Sequence, residues 1–225
     1  GLPTVALLVD HRLKLGDDPY FTRCLELLQA ALQRRGSRCQ LERIDGKNKP
    51  AIDAQGAITL GLAGQDVLEA WRPPDPPLVA LFLNKNPRPS TRASVIRLDN
   101  AQAGEEAAHR LISQGVRHVL LIGRESIPDS LTRIQNAETA LTKEGCRTER
   151  VECGMNYLDG FNLARGLNPD RITPRTALLV TNDWCAAGIR LGLAYQQSER
   201  LRKMLIISFD GLELAADPAL RIESM

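Results

Sequence analysis

Short apolar runs alternate with amphipathic stretches along almost the whole chain. Residues 5–10 (VALLVD) are apolar nearly throughout, the pattern of a strand buried on both faces of a parallel sheet. Over 20–35, Phe21, Leu25, Leu28 and Leu32 recur at steps of three and four, which predicts a helix stopped by Gly36. Strands are predicted at 39–44 and 57–60, with Cys39 and Leu41 on one side of the first. A short helix is expected at 65–71. Pro73, Pro74, Pro76 and Pro77 then break the chain before strands at 78–84 (LVALFLN) and 94–99 (SVIRLD). The second half repeats the scheme. Asn100 is placed to cap a helix running to 114, followed by strand 118–123 (HVLLIG). Helix 130–144, strand 149–153, helix 158–165, strand 177–182, helix 184–195 and strand 205–210 complete it.

Strands separated by helices imply β-α-β units, parallel sheets and right-handed crossovers. The fold class expected is therefore α/β, with two Rossmann-like lobes over 1–98 and 99–210. Residues 211–225 read as a segment returning toward the first lobe. Paired lobes of this kind hold small molecules in the cleft where the carboxyl ends of their strands face each other. Here those ends carry Asp10, Asn84, Asp99, Asn182 and Asp210. One such residue is explained equally well as a cap of the following turn. Five together favour a polar crevice.

Composition removes several classes. Of 225 residues, 43% are hydrophobic and 25% charged, which excludes a disordered chain. The formal net charge of +2 is too balanced to argue for nucleic-acid binding by this segment itself. No apolar run is long enough to cross a membrane, and the first residues lack the pattern of a secretory signal. Cys24, Cys39, Cys146, Cys153 and Cys185 are odd in number and form no C-x-x-C pair, so they read as small buried hydrophobes in a reducing compartment. There is no P-loop, no nucleophile elbow and no H-E-x-x-H; His11, His109 and His118 stand alone. No cofactor or metal is expected, and binding is favoured over catalysis.

Several segments in register resemble one known family. Leu98-Asp99-Asn100, Gly104, His109-Arg110-Leu111, Gly115-Val116-Arg117-His118 and Leu120-Leu121-Ile122-Gly123 are similar to the effector-binding domain of LacI/GalR repressors. So are the stretch from Arg133 to Ala137, the turn Asp159-Gly160-Phe161, residues 177–188 (ALLVTNDWCAAG) and residues 206–212 (IISFDGL). The likeness spans about 120 residues. The first half matches more loosely, through Asp18-Pro19-Tyr20-Phe21. Asn136 stands where the family has glycine, Gly211 where it has a second aspartate, and 211–225 is shorter than the family's C-terminal end.

The resemblance implies a two-lobed fold of the periplasmic-binding-protein type and a sugar-like effector in the cleft. It carries Arg133, Asn182 and Asp210 onto polyol-contacting positions. Arg133 is expected to fork onto oxygens from the start of its helix, Asp210 to take a hydroxyl pair and Asn182 to bridge them. Asn84, Asp10 and His11 are the candidates from the first lobe. Trp184, Met155 and Tyr157 are candidates for an apolar platform, while Asp183 is expected to cap the helix at Trp184. The family further implies a homodimer, a cytoplasmic location and operator DNA as partner, through a domain that this segment does not contain. A periplasmic sugar-binding protein of a transporter is the alternative, and a sugar-processing enzyme a weaker third. Pentose, hexose, sugar phosphate and purine all remain open. Arg12, Lys14 and Arg124 would favour an anionic ligand if they faced the cleft.

Overall fold

The computed structural model describes residues 1–45, 51–61, 63–72, 74–81 and 93–225, and the chain divides into two compact units, Gly1–Leu98 and Asp99–Met225.

The first unit is a five-stranded parallel sheet. Its strands are β1 (Thr4–Asp10), β2 (Arg38–Ile44), β3 (Gly56–Leu60), β4 (Leu78–Leu81) and β5 (Ala93–Ile96), in the order β2-β1-β3-β4-β5. Side chains of β1 alternate between two cores, as a strand's period of two requires. Leu7 and Val9 pack with Leu25, Phe21 and Leu28 of helix α1 (Pro19–Arg34). Ala6 and Leu8 pack with Val67, Leu68 and Trp71, in and just after helix α2 (Ala63–Ala70). Asp18 caps α1 by accepting from the Phe21 N–H at 3.1 Å, with Pro19 at the first helical position. β2 is an edge strand: Cys39 packs against the α1-side core, while Leu41, two residues on along the same face, is exposed. Asn84, placed at a strand end by the sequence, lies outside the described residues.

The second unit carries helix α3 (Asn100–Ser113), β6 (His118–Gly123), α4 (Pro128–Lys143), β7 (Arg147–Glu152) and α5 (Tyr157–Arg165). Then follow β8 (Thr176–Val180), α6 (Asp183–Ala194), α7 (Glu199–Arg202), β9 (Leu205–Ser208) and β10 (Ile222–Ser224). Its sheet has the order β10-β9-β8-β6-β7, with every pairing parallel. Leu120, Ile122, Leu178, Val180 and Ile206 face the α5–α6 layer. Val119, Leu121, Ala177, Leu179 and Ile207 face α3 and α4.

Three expectations need correction. Asp99, not Asn100, caps α3, accepting from Gln102 N–H at 3.0 Å; this leaves the Asn100 amide for another partner. Helix α4 begins at Pro128, so Arg133 sits in its second turn and is buried, not at an exposed start. The second unit extends past 210, to the end of 211–225: Ile222–Ser224 pairs with β9 as the fifth strand of the second sheet. A three-residue strand with one apolar position leaves no periodic signal.

Arg190, on α6, holds this end of the chain. It is 7% exposed and donates only to carbonyls: Nε to Leu220 at 2.6 Å, Nη1 to Arg202 at 3.1 Å, and Nη2 to Met204 and Arg221 at 2.9 Å each. Burial, then the neighbouring Arg221, pulls its pKa down to about 10, so it stays charged at neutral pH. Arg190→Met removes four bonds and leaves the buried Met204 carbonyl and three part-buried ones without their donor, which is expected to cost about 3 kcal/mol or more. In a thermal melt the second unit should lose roughly 6–12 °C. A melt unchanged within about 2 °C would contradict this role.

Candidate functional site

In the second sheet, β6 and β8 lie side by side, and the strand order runs outward from them in opposite directions. That is the switch point at which an open α/β sheet leaves a crevice beyond its carboxyl ends. Gly123 ends β6 there, and Thr181 and Asn182 follow β8. A Cβ on Gly123 would stand 2.5 Å from both the Ser130 Oγ and the Thr181 Oγ1, so only glycine lets this pair of hydroxyls close over the strand end. Ser130 donates to Thr181 Oγ1 at 3.1 Å and accepts from the Arg124 N–H at 2.9 Å.

Arg133 projects from α4 into this edge and is 8% exposed. Nε donates to Asn100 Oδ1 at 2.7 Å. Nη1 donates to the Thr181 carbonyl at 2.7 Å and to Asp210 Oδ1 at 3.2 Å. The guanidinium carbon lies 4.8 Å from the centre of the Phe209 ring. These contacts occupy Nε and Nη1. Nη2 has no hydrogen-bond partner among the described residues and is not one of the fully buried orphan atoms, so its two donors keep some access to solvent. Asp210 beside it has φ of +106°, a backbone conformation seldom adopted by a residue with a side chain.

Asn182 is committed internally. Its Oδ1 caps α6 by accepting from Cys185 N–H at 2.7 Å, and its Nδ2 donates to the Met155 carbonyl at 2.8 Å. It therefore holds the loop after β7 against the start of α6. The Met155 sulfur accepts from Thr181 Oγ1 at 3.4 Å. The rings of Tyr157 and Trp184 are 5.0 Å apart and tilted by 41°, both half-buried, and form an aromatic wall on the same two segments. Asp183 does not cap α6 as its position suggested, because Asn182 does. Instead it is fully buried and accepts from the Ser208 hydroxyl, from Leu212 N–H at 2.8 Å and from the Ser224 hydroxyl at 2.8 Å. Burial raises its pKa, opposed by these hydrogen bonds and by Arg133.

The first unit has a corresponding switch point, between β1 and β3. Asp10 ends β1 there, 2% exposed, and is gripped by Arg12. Arg12 Nε and its backbone N–H both donate to Oδ1 at 2.9 Å, and Nη2 donates to Oδ2 at 2.7 Å. This hydrogen bonding raises the Arg12 pKa. Arg12 is therefore tied to Asp10. Gly61 packs against this pair: its φ is +94°, and a Cβ would stand 2.7 Å from that of Asp10. The His11 side chain is half exposed, with Nδ1 3.1 Å from the Ile44 carbonyl.

The structure thus brings together Arg133, Asp210, Asn182, Met155, Tyr157 and Trp184 on one edge of the second unit, and Asp10 with His11 on one edge of the first. Sequence reasoning missed Asn100, Ser130, Thr181, Phe209 and Gly123. Thr181 beside Asn182, Phe209 beside Asp210 and Asn100 beside Asp99 carried a signal in their neighbours, and Gly123 lay in a quoted segment; Ser130 carried none.

No protein-family model matches the chain, and no curated protein sequence matches it. Solved structures do. The Escherichia coli transcriptional repressor ascG superposes with a TM-score of 0.78 at 19% identity, over 99% of this chain and 84% of that one. A LacI family transcriptional regulator from Arthrobacter sp. FB24, in complex with lactose, gives 0.77 at 18% identity over 100% and 83%. The transcriptional regulator CelR–cellobiose complex gives 0.73 at 22% over 95% and 69%. The chain has the α/β fold of these transcriptional regulators. No helix among the described residues is long and apolar enough to cross a membrane.

The raised Asp183 pKa has a signed consequence. Its folded value lies above the unfolded one, so as pH rises from about 4 the unfolded chain ionises first and this residue's contribution to stability falls. Asp183→Asn does not titrate. Measured against wild type by denaturant unfolding, the variant should gain relative stability between pH 4 and 7. A difference independent of pH would contradict the assignment.

Proposed function

We propose that the chain is the effector-sensing part of a LacI-type transcription regulator, seating a small sugar-like molecule at the carboxyl edge of the second unit's sheet. DNA is reached through a separate domain, and ligand and DNA affect each other's affinity reciprocally. One observation carries the ligand class. Two guanidinium donors of Arg133 have no partner among the described residues, beside the Asp210 carboxylate, and the Tyr157–Trp184 wall stands on segments that Asn182, just after β8, joins. A polyol needs that combination: a fork for its oxygens, an acceptor for paired hydroxyls and an apolar face for its ring. Asn182 and Met155 shape the wall. The lactose and cellobiose named for two of the structural relatives support a sugar as ligand, and disaccharides are the first to test. The cytoplasm and a homodimer follow from the same reading. It is favoured over a transporter's binding protein because the relatives sharing this fold over most of their length are transcription regulators.

The test is thermal unfolding across disaccharides, monosaccharides, sugar phosphates and purines. A ligand at a hundredfold excess over its Kd should stabilise the protein by about 2.7 kcal/mol. Arg133→Lys keeps the charge but loses the fork, and should abolish the shift. Trp184→Ala, which leaves the Arg133 contacts in place, should weaken binding by about tenfold or more. No stabilisation by any of the four classes, or a shift indifferent to both variants, would contradict the proposal.

A further inference from the structure

Beneath the Asn182–Met155 contact lies a second link between the same two segments. The Cys153 and Cys185 sulfurs are 3.8 Å apart in the second unit's core, with the residues 7% and 2% exposed. Cys153 directly follows β7, and its N–H donates to the Gly123 carbonyl at 2.9 Å. Cys185 is in the first turn of α6, and its N–H is the one capped by Asn182. Both backbones are therefore held, and both thiols point at each other. The other cysteines differ. Cys146 lies against the Val116 carbonyl at 3.5 Å, and Cys24 and Cys39 are half-buried in the first unit.

We propose that Cys153 and Cys185 form a reversible disulfide site, oxidised by hydrogen peroxide, that locks the end of β7 to the first turn of α6. A disulfide needs the sulfurs to close to about 2.05 Å, a movement of under 2 Å. The two thiols have different roles. Cys153 is the more exposed, and the hydrogen bond from Cys185 lowers its pKa, while the pKa of Cys185 is raised by that same contact and by burial. The Cys153 thiolate attacks one peroxide oxygen; an S–O bond forms, the O–O bond breaks, and the departing hydroxide takes a proton to leave as water. The Cys185 thiol then gives up its proton as its sulfur attacks the sulfenic sulfur. The S–S bond forms and the S–O bond breaks, releasing a second water. Two thiols lose two electrons, and one peroxide becomes two waters. A dithiol reductant reverses the bond by exchange. The proposal is independent of what the crevice binds.

The experiment treats the folded chain with stoichiometric hydrogen peroxide, alkylates remaining thiols under denaturing conditions and maps the peptides by mass spectrometry. The expected result is a Cys153–Cys185 crosslink, with both thiols lost together, Cys146 still alkylated, and full reversal by dithiothreitol. The melt of the second unit should rise by about 5 °C or more, since the crosslink closes a loop of some thirty residues. Cys153→Ala and Cys185→Ala should each abolish both crosslink and shift. The proposal is overturned if Cys24 and Cys39 oxidise while Cys153 and Cys185 remain thiols. It is also overturned if oxidation stops at sulfinic acid on Cys153, or if the link forms only in the urea-unfolded chain.

Discussion

The second unit depends on burying one positive charge without stranding it. A guanidinium removed from water costs several kcal/mol unless its donors and charge are met. Asn100, the Thr181 carbonyl, Asp210 and the Phe209 ring meet those of Arg133. Each partner sits on a different part of the fold: the start of α3, the end of β8, and the residues after β9. Arg133 therefore sets the relative positions of three strand and helix ends. Among the described residues its Nη2 group is left unmet, and that group is not fully buried. The charge that organises the edge and the donors offered to a ligand belong to the same side chain.

A second buried charge braces the outside of this arrangement. Asp183 collects Ser208, Leu212 and Ser224, tying β9 and the terminal strand β10 to α6. Arg190 secures the approach to β10 from the opposite end of α6. Between them the segment 211–225 is fixed to the second sheet by polar contacts to one helix, although it carries few apolar residues. Asp210, with its positive φ, lies where this bracing meets the Arg133 network, and strain there is sustained by neighbours that determine the conformation from both sides.

The architecture was legible because apolar runs such as 118–123 and 177–180 are continuous and the helices between them are periodic. The alternation of Leu7 and Val9 against Ala6 and Leu8 follows from strand period alone. Caps were less legible. In Asp99-Asn100 and Asn182-Asp183 both residues are competent, and tertiary demand decided: the one not needed inside became the cap. At the site, Arg133 and Asp210 could be named, but not that the arginine would be buried, since Asn100 lies 33 residues away and Asp210 77. Contacts at that range have no local period. Asn182 was expected to meet ligand, and its amide is spent within the fold; a side chain's residual capacity shows only once its neighbours are placed.

The central claim is that Arg133 and Asp210 act as one buried unit. A double-mutant cycle with Arg133→Met and Asp210→Ala, followed by denaturant unfolding, tests it most directly. The pair is about nine-tenths buried on both sides, so the coupling energy should exceed about 1 kcal/mol, with the double variant less destabilised than the sum of the singles. Effects that simply add, within about 0.3–0.5 kcal/mol, would contradict the account.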